Sequence, residues 1–202
     1  MPENSTPKRG GSHADPRSPF VFDLRELGRR AGAMRSHRRS VPAPTELGSD
    51  LIAVPEGAPL VLDVRLEAVT EGVLVTGTVT APVRGECGRC LDPISDELSV
   101  DVCELFAYAG STTDETTEQD EVHRVDGDHL DVEPVVRDAV VLALPFQPLC
   151  RPDCGGLCPT CGQRLDELPA GHSHEVLDPR WAALAAFTDA DEGGNQTDEK
   201  ID

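Results

Sequence analysis

Six cysteines in two clusters constrain this chain more than any other feature. Cys87 and Cys90 form one Cys-x-x-Cys pair. Cys150, Cys154, Cys158 and Cys161 crowd into a single twelve-residue stretch, followed by His172 and His174. A Cys-x-x-Cys turn brings two sulfurs to one ion without straining the backbone, and zinc takes four such soft or borderline ligands in a tetrahedron. Six thiols and two imidazoles make eight ligands, enough for two sites. They divide in two ways. Either Cys87 and Cys90 join Cys150 and Cys154 while Cys158 and Cys161 join His172 and His174, or the four clustered cysteines form a local site and leave the first pair to the histidines. The first division is favoured, and it would pin the hairpin loop to the end of the helix. The expected cofactor is zinc, as two ions.

Other uses of these residues fit less well. A thioredoxin-like redox pair opens a helix in a βαβ setting, whereas Cys87 and Cys90 fall between two strand patterns. Iron–sulfur ligation draws on the same thiols and stays open as an alternative. Catalytic zinc needs an open position and a base, and Glu175 after His174 has no recognisable substrate pocket around it. The seventh cysteine, Cys103, reads as a spare thiol. Free thiols fit a reducing compartment, and no apolar run approaches a membrane span or a signal peptide, so a cytoplasmic protein is expected.

Hydropathy patterning supplies the fold. Leu60, Leu62, Val64, Leu66 and Ala68 alternate with Asp63, Arg65 and Glu67. After a turn at Glu71 and Gly72, Val73, Val75 and Val79 alternate with Thr76, Thr78 and Thr80. A third alternating run over 95–107 places Leu98, Val100, Val102 and Phe106 on one face and Cys103 on the other. Asp131 is placed to cap a helix in which Val132, Val135, Val136, Ala139, Val140 and Ala143 recur at helical spacing, with Pro134 in the first turn and Pro145 ending it. The expected fold class is α+β: a small antiparallel β-sheet or partly open barrel, one packed helix and a C-terminal zinc-binding module. The expected organisation is a disordered arm over 1–18, an N-terminal segment and sheet over 19–109, an acidic loop over 110–124, the helix and metal module over 125–187, and a disordered acidic tail over 188–202. Short helices are expected over Asp23–Arg30 and from Asp178, the latter carrying Trp181, Leu184 and Phe187.

Charge is uneven. Residues 1–40 sum to +5 and the remainder to −24, within a formal net charge of −19. Phosphate binding needs clustered cations, which only Arg25, Arg29, Arg30, Arg35, Arg38 and Arg39 offer, so these are the candidate RNA-binding residues. The acidic body favours basic partners. No Gly-rich phosphate loop, Ser-His-Asp order or helical His-Glu-x-x-His appears, and no small-molecule substrate is evident, so the chain is expected not to be an enzyme.

Six segments carry a family resemblance: Asp23–Gly28, Gly72–Gly77, Gly85–Leu91, Arg137–Pro145, Asp153–Gly162 and Asp178–Trp181. Together they resemble the YceD family in its actinobacterial form, over roughly residues 20–187. The Cys-x-x-Cys-Leu and Asp-Cys-x-Gly-Leu-Cys-Pro-x-Cys-Gly signatures are its most specific parts. The resemblance implies a role in accumulation of large-subunit ribosomal RNA, with that RNA or basic ribosomal proteins as partners. It implies no established enzymatic activity. Where some relatives end in Cys-x-Cys this chain has His172-Ser-His174, which supports the histidines as ligands. An rRNA-processing enzyme or activator, or a thiol-based redox protein, is the alternative reading.

Overall fold

The computed structural model describes residues 14–45, 47–118 and 121–174. The expected helix from Asp178 and the tail over 188–202 lie outside these, as do residues 1–13 of the N-terminal arm. Two compact units are present, one running through Cys154 and the other starting at Gly155.

The first unit is an open, mainly antiparallel sheet with one packed helix. Its strands in chain order are β1 (Val21–Asp23), β2 (Met34–Pro42), β3 (Ile52–Ala53), β4 (Pro59–Ala68), β5 (Gly72–Glu86), β6 (Pro93–Ala107), β7 (His123–Arg124) and β8 (His129–Asp131). The main sheet has the order β2-β4-β5-β6-β7, with β3 also pairing the end of β5, and β1 pairs β8 in a small separate ribbon. The long β5 is the organising strand: β4 covers its first half, β3 touches Gly85 and Arg84 near its end, and β6 runs beside its full length.

Alternation explains this sheet. Leu60, Leu62, Val64, Leu66 and Ala68 of β4, and Val73, Val75, Val79, Ala81 and Val83 of β5, form one buried face with Val102 and Phe106 of β6. The Thr76, Thr78 and Thr80 side of β5 faces Asp63, Arg65 and the Ser99–Cys103 side of β6, a polar face as a half-buried antiparallel sheet requires. Val69 and Gly72 exchange backbone hydrogen bonds of 2.9 and 3.4 Å and close the β4–β5 hairpin. Gly77 is there for space. A Cβ on it would stand 2.1 Å from the Asp63 carbonyl oxygen.

Helix α2 (Glu133–Ala143) lays Val135, Val136 and Val140 on the buried face together with Val132, while Ala143 is exposed. Asp131 does not occupy the N-cap position, which falls to Val132. Its carboxylate nevertheless accepts the Glu133 N–H at 2.9 Å, because the last residue of β8 already lies within reach of the first turn. Two expectations are corrected. Asp23–Arg30 is a single turn closed by Leu27 and Gly28 N–H donating to the Leu24 carbonyl, stopped where Gly28 takes a left-handed φ of 68°. The acidic stretch after Gly110 carries a short helix α1 (Thr112–Thr116), capped by the Ser111 hydroxyl accepting from the Asp114 N–H. Residues 34–42, which show no apolar alternation, form the edge strand β2.

Candidate metal centres

The eight expected ligands gather into two groups of four, in the first of the two divisions. Cys87, Cys90, Cys150 and Cys154 form one group and Cys158, Cys161, His172 and His174 the other. Within each group the ligand atoms all lie within 4.8 Å of one another. Each group falls within a single compact unit.

The first group is assembled from two turns. After β5 ends at Glu86, the Cys87 N–H donates to the Asp92 carbonyl at 2.8 Å, and the Leu91 N–H returns to the Cys87 carbonyl at 3.0 Å. This knuckle forces Leu91 into a left-handed φ of 62°, the single non-glycine residue with positive φ among the described residues. The second turn is Cys150–Cys154, closed by the Cys154 N–H donating to the Arg151 carbonyl at 3.2 Å. The Gly88 N–H binds the Pro148 carbonyl at 2.8 Å, and the Arg89 guanidinium donates to the Cys154 carbonyl at 2.9 Å, so the knuckle and the post-helical segment are held together without help from sulfur.

The sulfur geometry suits a mononuclear ion. The Cys87 and Cys154 sulfurs are 3.8 Å apart and those of Cys90 and Cys150 are 3.5 Å apart. A tetrahedron with bonds of about 2.3 Å has edges of about 3.8 Å. A disulfide would require about 2.05 Å, and all seven cysteines are free. A cluster of several irons would spread four thiolates over more than one metal atom, whereas here the four sulfurs all lie within 4.8 Å of one another. Cys87, Cys90 and Cys154 are buried and Cys150 is exposed.

The second group repeats the knuckle. The Cys158 N–H donates to the Gln163 carbonyl at 2.7 Å and the Gly162 N–H to the Cys158 carbonyl at 2.8 Å, the same two spacings as in the first. Gly162, at φ 70°, occupies the position that Leu91 holds in the first knuckle. The 3₁₀ turn Leu165–Glu167 follows, and the His172 N–H closes a further turn on the Pro169 carbonyl at 3.0 Å. The Cys161 sulfur stands 3.6 Å from His172 Nε2, close to the about 3.5 Å edge that tetrahedral zinc bonds to sulfur and nitrogen would give. The His172 and His174 rings meet edge to face with centroids 4.5 Å apart.

Thiol acidities follow the knuckles. Burial pushes Cys87 up, but the backbone N–H groups of Cys150, Cys90 and Arg89 outweigh it and bring its pKa down to about 6. The N–H groups of Cys161 and Thr160 lower Cys158 to about 6, against opposing burial and with help from His172. The first cysteine of each knuckle is therefore the more readily ionised, favoured by the N–H groups two and three residues on and, for Cys87, by that of Cys150 as well. Cys90 goes the other way. The Asp92 backbone draws it down, but burial and the thiols of Cys87, Cys150 and Cys154 push it up to about 12. Cys150 is drawn down by Cys90 but raised overall by burial and by Cys154 and Cys87.

The six candidate RNA-binding arginines do not behave alike. Arg25 is ion-paired with Asp23, Arg29 stacks 5.1 Å over the Tyr108 ring and Arg38 pairs with Asp63 at 3.2 Å. Arg39 lies 3.7 Å over the Phe22 ring and donates to the carbonyls of Pro19 and Val21 at 3.0 and 3.2 Å, which makes it part of the packing. Arg30 and Arg35 are exposed. Arg35, Arg38 and Arg39 share the edge strand β2, a grouping that alternation of apolar residues could not reveal. Cys103 is exposed on the polar face of β6, opposite Thr76.

The family described as "Large ribosomal RNA subunit accumulation protein YceD" matches residues 75–188. The chain belongs to the YceD family. Among its relatives, the uncharacterized protein Rv2926c of Mycobacterium tuberculosis is 56% identical, over 83% of this chain and 80% of its own length. ML1660 of Mycobacterium leprae is 49% identical over 83% and 76%. YlbN of Bacillus subtilis is 26% identical over 73% of this chain and 83% of its own. No solved structure matches. This YceD protein is thus of the actinobacterial form, and its two Cys/His groups could hold metal ions. Among the described residues no helix is long and apolar enough to cross a membrane.

Proposed function

We propose that the chain is a non-enzymatic factor that supports accumulation of large-subunit ribosomal RNA during ribosome assembly, with two structural zinc ions holding it in shape. The family description supports the ribosomal role. The observation that carries the structural part is closure. Each group supplies four protein ligand atoms within 4.8 Å of one another, and structural zinc sites are filled by four protein ligands, whereas catalytic ones keep a position for water. Thiolates and imidazoles at these spacings match zinc better than the oxygen-seeking ions.

The RNA-facing part of the proposal rests on β2 and the turn before it. Arg30, Arg35 and Arg38 are exposed there, and burial together with Arg39 and Arg35 lowers the His37 pKa, leaving the charge to the guanidinium groups. These cations would contact phosphate without reading sequence.

Sedimentation of cell extract through sucrose gradients at low and high salt tests the role. The protein is expected to travel with precursors of the large subunit at low salt and to be released at high salt. Failure to comigrate at any salt would remove the assembly role. Incubation with precursor ribosomal RNA is expected to leave it uncut.

A further inference from the structure

The two edges of the main sheet carry opposite charge. On β2 every charged residue is a cation: Arg35, Arg38 and Arg39. On β6 every charged residue is an anion: Asp96, Glu97, Asp101 and Glu104. The β6 edge, against which α2 packs, is also largely without a strand partner. Its only strand partner on the side away from β5 is β7, which meets just Phe106 and Ala107 among the described residues.

The register fixes which backbone groups face outward. Val69 and Gly72 bond each other, so Leu74, Thr76, Thr78 and Thr80 bond to β4 and the alternate residues of β5 bond to β6. Ser95, Glu97, Ser99, Asp101 and Cys103 therefore direct their N–H and C=O groups away from the sheet. The Ala107 carbonyl, in the same phase, accepts from the Val125 N–H at 3.0 Å. Of these five, the Glu97 N–H is taken by its neighbour, the Asp96 carboxylate, at 2.8 Å. Beside the edge lie two hollows. One, of about 150 Å³, is walled mainly by apolar side chains including Ile94, Leu98, Leu144 and Leu149. The other, of about 230 Å³, is bordered by Asp101, Glu104, His123 and Asp138.

We infer that the open edge of β6 accepts an extended, Lys/Arg-rich peptide segment as an added antiparallel or parallel strand. An unpaired strand edge offers a row of main-chain donors and acceptors to an incoming chain, with specificity set by alternate side chains. Here carboxylates stand on both faces of the edge, Glu97 and Asp101 on the polar side and Asp96 and Glu104 on the other, with Asp138 contributed by α2. A peptide alternating cations with aliphatic residues would match the carboxylates and the apolar hollow together. This rests on the proposed assembly role, in which basic ribosomal proteins are partners, and names the surface that would hold one.

The probe is a short peptide alternating arginine and valine, titrated into the full chain by fluorescence anisotropy. Saturable binding is expected, weakening with salt. It is expected to fall at least about tenfold when alternate peptide amides are N-methylated, which blocks the ladder and keeps the charge. The variants Asp101→Lys and Ser99→Pro should each weaken it similarly. Ser99→Pro removes one outward N–H on an edge, where proline is tolerated, and leaves the β5 ladder intact. Binding that ignores N-methylation would overturn the inference, as would no binding at low salt. So would self-association of the chain that Asp101→Lys dissolves, since a second copy's β2 would then be the occupant. If wild type travels with large-subunit precursors and Asp101→Lys/Glu104→Lys does so equally, the edge is excluded while the assembly role stands. If wild type never comigrates yet binds the peptide in the ladder-dependent way, the assembly role fails and the edge remains a peptide site.

Discussion

Leu91 is the residue at which the two knuckles can be compared directly. Both need a left-handed residue after the second cysteine, where the N–H returns to the first cysteine's carbonyl. One knuckle uses Gly162 and the other uses Leu91. A leucine there costs about 1–2 kcal/mol in backbone energy, partly offset by the greater freedom glycine gains on unfolding. The Leu91 side chain is 59% exposed, so its removal forfeits little packing. We expect Leu91→Gly to be at least as stable as wild type in chemical denaturation, with unchanged metal content. Leu91→Val, which puts a β-branched side chain in the same conformation, should lose about 1–2 kcal/mol. A large loss in Leu91→Gly would mean that the side chain itself holds the knuckle. The cysteines were legible from their spacing, which left two divisions open until the fold brought Cys87 and Cys90 to Cys150 and Cys154. The left-handed position was not, because nothing in a Cys-x-x-Cys-Leu string declares a backbone sign.

At the scale of elements, the pattern of alternation located β4, β5 and β6 well and β2 not at all. The reason is chemical. On β4, aliphatic side chains fill the core face at Leu60, Leu62, Val64 and Leu66. On the paired positions of β2 that face is filled by Val41, then by Arg39 and His37 leaning on the Phe22 ring, while Arg35 beyond them is exposed. A guanidinium stacked on an aromatic ring covers apolar surface without registering as apolar. Asp23–Arg30 is a turn where its sequence predicts a helix, because Leu24 and Leu27 are both buried but a single turn satisfies them before Gly28 breaks it. The sheet's tightest point is the close approach of β4 to β5 at Gly77. Gly77→Ala must displace backbone, since its new Cβ would meet the Asp63 carbonyl oxygen and, at 2.7 Å, the Val64 Cα. We expect a loss of about 3 kcal/mol in equilibrium denaturation. A loss under about 0.5 kcal/mol would show that the strands can separate there freely.

For the molecule as a whole, metal binding and proton binding compete at the same atoms. A thiol whose folded pKa lies below its ordinary value contributes stability that is fully present above that ordinary value and is lost as pH falls through the folded one. Cys87 and Cys158, lowered from 9.0 to about 6, thus favour the folded, metal-free chain at neutral pH, and this preference fades on acidification toward pH 6. Cys90 and Cys150 are raised, and keep their protons at neutral pH until a metal displaces them. Loading the metal-free protein with zinc at neutral pH is therefore expected to release protons chiefly from the first group, measurable by calorimetry in buffers of different ionisation enthalpy. Wild type should bind two ions. Cys87→Ser should lose the ion of the first group and keep that of the second, and Cys158→Ser the reverse, because no ligand is shared between the groups. If either substitution emptied both sites, the two centres would be one cooperative unit. If Cys87→Ser removed none, the thiol cage around Cys87 would be a packing feature of the fold, held by the Arg89 and Gly88 hydrogen bonds alone.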